Sequence, residues 1–301
     1  TSHHGAHGRA RRNERCFAFL GLGRFKIYDR CKRGRRWWLD CLVTETENIM
    51  TNIKKEVLAI IPARGGSKGI PRKNVIDFAG YPLISYSIAA GLASEHINRV
   101  IVSTDNEEIA EVSRRYGAET PFMRPSIHAQ DLTPDLPVFS HALEWLAENE
   151  DYHPDIVVQL RPTSPFRRLW HIEKAVEKLI EEPEADAVRT VIEPFQNPYK
   201  MWQIGKNGFL QPIVESLYKE PYNMPRQALP DVFWQTGYVD VVWVKTILEK
   251  KSMTGDRILP LQIDSEDWVD IDSLDDWRRA ERLISSGEIS LNDLGFQISE
   301  V

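Results

Sequence analysis

The sequence predicts an α/β fold with a mostly parallel β-sheet, and two observations support this class. Between residues 57 and 192, apolar runs of strand length alternate with longer segments whose apolar residues have helical spacing. This alternation is typical of parallel strands joined by right-handed helical crossovers. The first run, residues 57–61, is also rich in β-branched residues, which is the pattern of a strand buried on both faces.

The elements of the body follow one another with clear boundary signals. Asp105 and Asn106 are candidate caps for the helix that follows them, and Gly117 ends that helix. Asp105 has a second interpretation, because it lies at the carboxyl end of a strand, where α/β proteins bind ligands. We predict helices at residues 81–93, 107–116, 136–149, 169–182, 245–250 and 274–284. We predict strands at residues 57–61, 97–104, 121–124, 155–160, 186–192, 233–244 and 258–263.

The alternation breaks between residues 193 and 230, a stretch that is rich in proline and aromatic residues. It predicts short antiparallel strands and loops that project from the sheet as an arm. Exposed aromatic residues suit contact with a partner. A flap folded back onto the same subunit would have the same composition.

Length and charge limit the classes of function. A chain of 301 residues suffices for one large or two small domains. The net charge is −6, yet residues 1–50 carry 11 Lys and Arg against 5 Asp and Glu, so the remainder is strongly acidic. An acidic body argues against nucleic acid as the main partner. We expect no membrane span, because no apolar run approaches the roughly 20 residues that one needs.

Residues 1–50 differ from the rest of the chain and contain all three cysteines. The body therefore has no disulfide framework and no cysteine nucleophile, and a reducing cytoplasm is its simplest location. The short apolar stretch 16–22 does not fit a secretory signal, and the acidic residues fit a transit peptide poorly. We expect a basic leader that is disordered or artefactual, a domain at residues 51–290, and a polar tail at 291–301.

The loop after the first strand, residues 62–74, predicts an anion-binding site. It contains Gly65, Gly66 and Gly69 together with several cations and one hydroxyl. Glycines let backbone N–H groups approach an anion closely, and lysine or arginine supplies the charge that a polyphosphate needs. The loop has neither the Walker nor the dinucleotide-binding spacing of glycines. A solvated basic turn is the alternative interpretation.

The same loop carries a specific resemblance. Residues 62–74 read PARGGSKGIPRKN, and Pro-Ala-Arg-x-Gly-Ser-Lys-Gly-x-x-x-Lys-Asn after a first strand resembles the signature of CMP-sugar synthetases. The subgroup that it resembles is acylneuraminate cytidylyltransferase, also called CMP-sialic acid synthetase, over about residues 57–284. The resemblance implies a three-layer α/β/α, Rossmann-like nucleotidyltransferase sheet. It also implies a small antiparallel dimerisation arm and a homodimer.

The reaction implied by the resemblance is transfer of a cytidylyl group. A sugar hydroxyl attacks the α-phosphorus of CTP and pyrophosphate leaves, so catalysis needs positioning, cations on the phosphate oxygens and usually Mg²⁺. The positions implied to bind the nucleotide are Ala63, Arg64, Gly65, Ser67, Lys68, Lys73, Asn74, Arg124 and Asp135. The positions implied to be catalytic are Arg64, Lys73, Asp270 and Asp272.

The pair Asp270 and Asp272 is the candidate Mg²⁺ site. Two carboxylates at positions i and i+2 of an extended segment point to the same face, and oxygen is the ligand that Mg²⁺ prefers. This segment is acidic throughout, so the pair alone would be assigned to a solvated face. Its match to the family's metal motif favours the metal site. Either aspartate, or a hydroxide on the metal, could accept the proton of the sugar hydroxyl.

The acceptor site is less well defined by sequence. Nonulosonic acids are carboxylates, so the site needs a cation. Arg161 stands where sialic acid enzymes usually have glutamine, and residues 236–240 also depart from the family pattern. Because the departures fall on acceptor contacts, the acceptor could be a legionaminic- or pseudaminic-type acid. The positions implied to bind the sugar are Arg161, Lys200, Arg226, Gln235 and Tyr238.

Two other functions remain open at this point. CMP-KDO synthetases share the early Pro-Ala-Arg loop, but they carry an acidic Gly-Asp-Glu-Pro where this chain has Arg-Pro-Thr-Ser-Pro at residues 161–165. A CTP-binding regulatory protein without turnover is the alternative from another class. The intact Arg64, Lys73, Asp270 and Asp272 argue against it.

Overall fold

The computed structural model describes residues 16–20, 24–28 and 55–296. Strands β1 (Cys16–Leu20) and β2 (Arg24–Tyr28) pair antiparallel, and they belong to a unit separate from the body. The expectations for the rest of the leader and for the end of the polar tail concern residues outside the described ranges.

The body is built on one six-stranded sheet with the order β12-β8-β11-β7-β3-β6. All of its strands are parallel except β11, which is antiparallel to both neighbours. The predicted class, an α/β fold with a mostly parallel sheet, is confirmed. The strands of the body are β3 (Val57–Pro62), β4 (Asp77–Phe78), β5 (Tyr81–Pro82), β6 (Arg99–Ser103), β7 (Ile156–Gln159), β8 (Ala187–Ile192), β9 (Trp202–Ile204), β10 (Leu210–Pro212), β11 (Trp234–Trp243) and β12 (Ile258–Gln262).

Helices cover both faces of this sheet, which gives three layers. Along β3, Ala59 and Ile61 pack into the core on one face, whereas Leu58 and Ile60 pack into the core on the other. A central strand can alternate in this way only when both faces are buried. The helices are α1 (Leu83–Ala93), α2 (Glu107–Arg115), α3 (Asp135–Glu150), α4 (Leu169–Glu181), α5 (Val244–Leu248) and α6 (Leu274–Ser285). The cores place α1, α2 and α4 on one face and α3 and α5 on the other.

A third apolar cluster holds the acidic segment 264–276 against the glycine-rich loop. Ile271 and Trp277 pack there with Phe78 and with Ile70 of the loop. Helix α6 begins with a capping box. The Ser273 side chain accepts from the main-chain N–H of the third helical residue, and the side chain of that residue accepts from the main-chain N–H of Ser273. The burial of Ile271 therefore anchors the carboxylates on either side of it.

The predicted strand at residues 121–124 is wrong. After α2, the chain makes an isolated bridge at Glu119 beside Ile101 of β6 and then turns. The N–H of Arg124 donates to the carbonyl oxygen of Thr104 at 2.7 Å. Because of this contact the segment turns toward the interior and does not continue as a strand of the sheet. The other elements agree with the prediction to within a few residues at their ends.

The arm at residues 193–230 contains the predicted short antiparallel strands. β9 and β10 pair as a hairpin whose residues are all exposed. Next to it, β11 returns to the sheet with a break in register between Gln235 and Asp240. Gly237 lies in this break at φ +64°, a conformation that L side chains rarely adopt. No helix among the residues of 55–296 is long and apolar enough to cross a membrane.

The buried carboxylate of Asp186 is a testable source of stability. It accepts from Lys250 Nζ at 2.7 and 2.9 Å and from the main-chain amide of Asp256 at 2.9 Å. The Lys250 ammonium and the main-chain N–H donors around the carboxylate lower the pKa of Asp186 to about 2. A folded-state pKa below the unfolded value stabilises the protein above the unfolded pKa, and this stabilisation is lost as the pH falls.

We expect Asp186→Asn to lower the free energy of unfolding at pH 7 by about 2 kcal/mol. The difference from the parent should shrink between about pH 4 and pH 2, as measured by urea unfolding at several pH values. Exposed Asp231→Asn is the control and should unfold like the parent. A constant difference down to pH 2 would contradict the prediction.

Candidate active site

One cavity of about 420 Å³ lies at the carboxyl ends of β3, β6 and β7, which is where α/β sheets bind ligands. The glycine-rich loop forms one wall and the segment 270–272 forms another. The predicted site residues that line it are Arg64, Ser67, Lys68, Lys73, Asn74, Arg124, Asp135, Arg161, Asp270 and Asp272.

The loop is held in shape by contacts at its glycines. The N–H of Gly65 donates to Asp105 Oδ1 at 2.8 Å, whereas Asn106 provides the side-chain cap of α2. The Asp105 side chain therefore binds the loop, and it does not cap the helix. A Cβ on Gly69 would collide with the main-chain oxygen of Asp272. Glycine is required there because two backbones meet.

Lys73 joins the loop to the acidic segment. Its side chain is 10% exposed, and its Nζ donates to the Ile271 carbonyl at 2.7 Å and to Asp272 Oδ1 at 3.2 Å. Asn74, the next residue, donates from its amide to the carbonyl of Arg64 at 3.2 Å. The ammonium is therefore fixed at the cavity wall, and the carboxylate of Asp272 is 75% exposed beside it.

The carboxylates of Asp270 and Asp272 fit a Mg²⁺ ion. Both line the cavity, and Asp270 Oδ1 is a buried oxygen without a hydrogen-bond partner. Burial also raises the pKa of the Asp270 carboxyl, so a cation bound beside it would offset the cost of burying the charged form. Among the described residues, no three His, Cys, Asp or Glu side chains form a metal cage. Mg²⁺ commonly binds through one or two carboxylates plus substrate phosphates.

Arg124 also lines the cavity. Its Nε donates to Ser103 Oγ at 3.0 Å, and its guanidinium also contacts the Ser103 carbonyl. Burial lowers its pKa to about 10, so the guanidinium keeps its charge at neutral pH. A buried, fixed guanidinium can donate to carbonyl and ring-nitrogen acceptors in a defined direction.

Asp135 and Arg161 form a polar pair at the cavity's third wall. Arg161 Nη2 donates to Asp135 Oδ2 at 2.6 Å, and Gln159 donates to the same oxygen at 3.1 Å. Asp135 is the first residue of α3, and Arg161 follows β7. The carboxylate therefore orients the cation that sequence reasoning assigned to the acceptor.

Comparisons with known proteins bear on the family to which this chain belongs. A family model described as cytidylyltransferase matches residues 58–201. The CMP-N,N'-diacetyllegionaminic acid synthase of Legionella pneumophila is 32% identical over 239 residues, which cover 78% of this chain and 99% of that protein. The chain belongs to the cytidylyltransferase family.

A second relative shares a shorter segment of sequence with this cytidylyltransferase, and a solved structure shares its fold. A pseudaminic acid cytidylyltransferase of Campylobacter jejuni is 46% identical over 125 residues, covering 41% of this chain and 53% of that protein. The structure of a CMP:2-keto-3-deoxy-manno-octonic acid synthetase complexed with CTP has a TM-score of 0.57 at 15% identity. It covers 77% of this chain and 99% of that chain, and at this identity the likeness concerns the fold alone.

Several predicted sugar-binding side chains do not line the cavity. Lys200 Nζ donates to the Met224 carbonyl at 2.7 Å, and Arg226 donates to the Pro194 carbonyl at 2.9 Å. Both cations are therefore bonded within the arm. Tyr238 is fully buried, and its hydroxyl accepts from the amide that begins α4. Its ring belongs to the core because β11 points this side chain inward.

The remaining predicted residues are not among those that line the cavity. Gln235 is exposed and accepts from Arg189 Nη1 at 2.6 Å. Ala63 is buried, and its N–H donates to the Ser103 carbonyl at 3.0 Å. Gly65 contributes only its main chain, through the bond to Asp105.

Sequence reasoning missed several residues that line the cavity, and two of them make contacts that shape the site. Asp131 pairs with Arg64 and Lys68 of the loop, and Thr163 lines the cavity and accepts from the N–H of Ile271 at 2.8 Å. Thr163 belongs to the Arg-Pro-Thr-Ser-Pro motif, which was a usable signal. Asp131 lies in a polar loop with no motif of its own, so only the tertiary contact identifies it.

The backbone contact at Gly69 gives a test of the site. We expect Gly69→Ala to weaken CTP binding about tenfold or more, because the new Cβ forces the loop away from Asp272. Gly66→Ala is the matched control, since nothing lies within 4 Å of a Cβ there. Titration calorimetry with CTP measures both variants. Equal affinities would contradict the role of this contact.

Proposed function

We propose that this chain transfers CMP from CTP to a nonulosonic acid in a Mg²⁺-dependent reaction that releases pyrophosphate. One observation carries the proposal: a single cavity collects the cations of the glycine-rich loop, the buried Arg124 and the carboxylates of Asp270 and Asp272. Cations for a polyphosphate and oxygens for a metal are the two groups that nucleotidyl transfer requires.

In this reaction, a sugar hydroxyl oxygen forms a bond to the α-phosphorus while the bond from that phosphorus to the pyrophosphate oxygen breaks. Arg64 and Lys68 hold the phosphates, and Lys73 neutralises the charge that develops on the leaving group. These groups are positioned before the substrate binds, since Lys73 is already bonded at the cavity wall. Preorganised charge of this kind lowers the barrier more than mobile charge does.

Asp270 and Asp272 would hold the metal. Mg²⁺ bound there would supply positive charge to the phosphate oxygens. Arg124 is proposed to read the cytosine ring with its fixed guanidinium, and Asp135 is proposed to face the ribose. Asp135 has a second task in this proposal, because it also orients Arg161.

The acceptor is proposed to be a legionaminic- or pseudaminic-type acid. The Legionella relative, matched over 99% of its length, is a legionaminic acid enzyme by name, and the Campylobacter relative is a pseudaminic acid enzyme by name. Arg161 lines the cavity as a cation for the acceptor carboxylate. KDO is disfavoured because residues 161–165 lack the acidic motif of that family.

The arm is proposed to form a homodimer. Its hairpin exposes Ile204, Phe209 and Leu210 at 77%, 71% and 61%. An isolated two-stranded hairpin is marginally stable in water, and exposed apolar patches mark interaction surfaces. A second copy of the same arm would cover this surface. Light scattering at micromolar concentration tests it, and a monomer mass would exclude the dimer.

We expect the full chain to release pyrophosphate from CTP and Mg²⁺ when a legionaminic- or pseudaminic-type acid is present. An assay with a panel of 2-keto-3-deoxy sugar acids, including N-acetylneuraminate and KDO, measures this release. Omission of Mg²⁺ or of the sugar acid should abolish it. Release with KDO alone would overturn the acceptor proposal.

Lys73→Ala separates an enzyme from a regulatory protein. We expect kcat to fall by about two orders of magnitude or more, since the ammonium acts on the developing charge. Arg72→Ala is the matched control, because Arg72 lies on the same loop, pairs with Glu108 and does not line the cavity. A variant that only binds CTP more weakly, with kcat unchanged, would contradict the catalytic role.

A further inference from the structure

The carboxylate of Asp131 lies between two cations of the glycine-rich loop. Asp131 Oδ1 is 3.1 Å from Arg64 Nη1, and Oδ2 contacts Lys68 Nζ. All three side chains line the cavity. The Lys68 ammonium and the Arg64 guanidinium hold the pKa of Asp131 below its usual range. The Asp131 carboxylate therefore occupies the position beside Arg64 and Lys68 where the proposed function places a phosphate.

The main-chain hydrogen bonds of the segment that carries Asp131 are local. Between residues 126 and 133, the N–H of Ala129 donates to the Ser126 carbonyl and the N–H of Thr133 donates to the Gln130 carbonyl. The side chain of Leu132 is 94% exposed. Asp131 can therefore leave the two cations without opening the apolar core.

A phosphate and Asp131 cannot both bind these cations without repulsion. Both present anionic oxygens to a guanidinium and an ammonium, which are the donors that bind such oxygens most strongly. Two anions at contact distance repel each other. A ligand that needs the same cations must displace the carboxylate first. Its apparent affinity is therefore its intrinsic affinity multiplied by the fraction of molecules in which the cations are free.

We propose that Asp131 is a specificity and product-release residue that competes with pyrophosphate, and with the terminal phosphates of CTP, for Arg64 and Lys68. The inference rests on the proposed function. When the transfer is complete, pyrophosphate is no longer tethered to the nucleotide, and the returning carboxylate competes with it for these two cations. CMP lacks the terminal phosphates and does not displace Asp131, so its affinity is independent of this residue.

Titration calorimetry on the full chain with inorganic pyrophosphate and with CMP tests the proposal. We expect Asp131→Asn, which keeps the shape and removes the charge, to bind pyrophosphate about three- to tenfold more tightly than the parent. Its affinity for CMP should stay within about twofold. In turnover, inhibition by pyrophosphate should strengthen by the same factor and the KM for CTP should fall. Asp131→Glu should restore the parent values, and Asp131→Ser is a second variant in case the asparagine disturbs folding.

Glu108→Gln is the matched control. Glu108 pairs with Arg72, another cation of the loop, and neither residue lines the cavity. The same change of charge there should leave pyrophosphate affinity unchanged. Unaltered pyrophosphate binding in Asp131→Asn, equal tightening of pyrophosphate and CMP, or equal tightening in Glu108→Gln would each overturn the proposal. Failure of the parent to release pyrophosphate with any sugar acid would instead overturn the proposed function, while the binding contrast would still decide the role of Asp131.

Discussion

The site depends on one long-range contact, the bond from the Lys73 ammonium to the Ile271 carbonyl, which joins residues 198 positions apart in the chain. It holds the glycine-rich loop against the acidic segment, so that cations and carboxylates face one cavity. The absence of a side chain at Gly69 lets the two backbones touch. Burial of Ile271 in an apolar cluster fixes the segment from behind. Because the segment is anchored by packing, its two flanking carboxylates are held at the cavity.

Most of the charged side chains that line the cavity are paired with one another before any ligand arrives. Lys73 pairs with Asp272, Arg161 pairs with Asp135, and Arg64 and Lys68 share Asp131. Binding a nucleotide is therefore an exchange of ion partners and not the addition of charge to a bare basic patch. This arrangement also fits an acidic protein, since a local group of cations attracts a polyanion over short distances despite the overall negative charge.

Prediction from sequence succeeded where a structural feature depends on residues that are close together in the chain. Alternating apolar runs identified the strands of the sheet, and the glycine-rich loop identified one wall of the cavity. It failed where a long-range contact decides the conformation. Residues 121–124 are apolar enough for a strand, but the bond from Arg124 to Thr104 turns them inward. Tyr238 was assigned to the sugar on resemblance, but the register of β11 points it into the core.

By itself, the sequence determined the class of fold and the glycine-rich loop, because apolar periodicity and glycine content are local properties of the chain. The pair Asp270 and Asp272 was singled out by its resemblance to a family motif. Only the tertiary structure decided which distant groups meet. It brought Asp131 to Arg64 and Lys68, Asp105 to Gly65, and Thr163 to Ile271. These contacts join residues from different strands and loops at one edge of the sheet, and their positions follow from strand order and packing, which no local pattern in the sequence encodes.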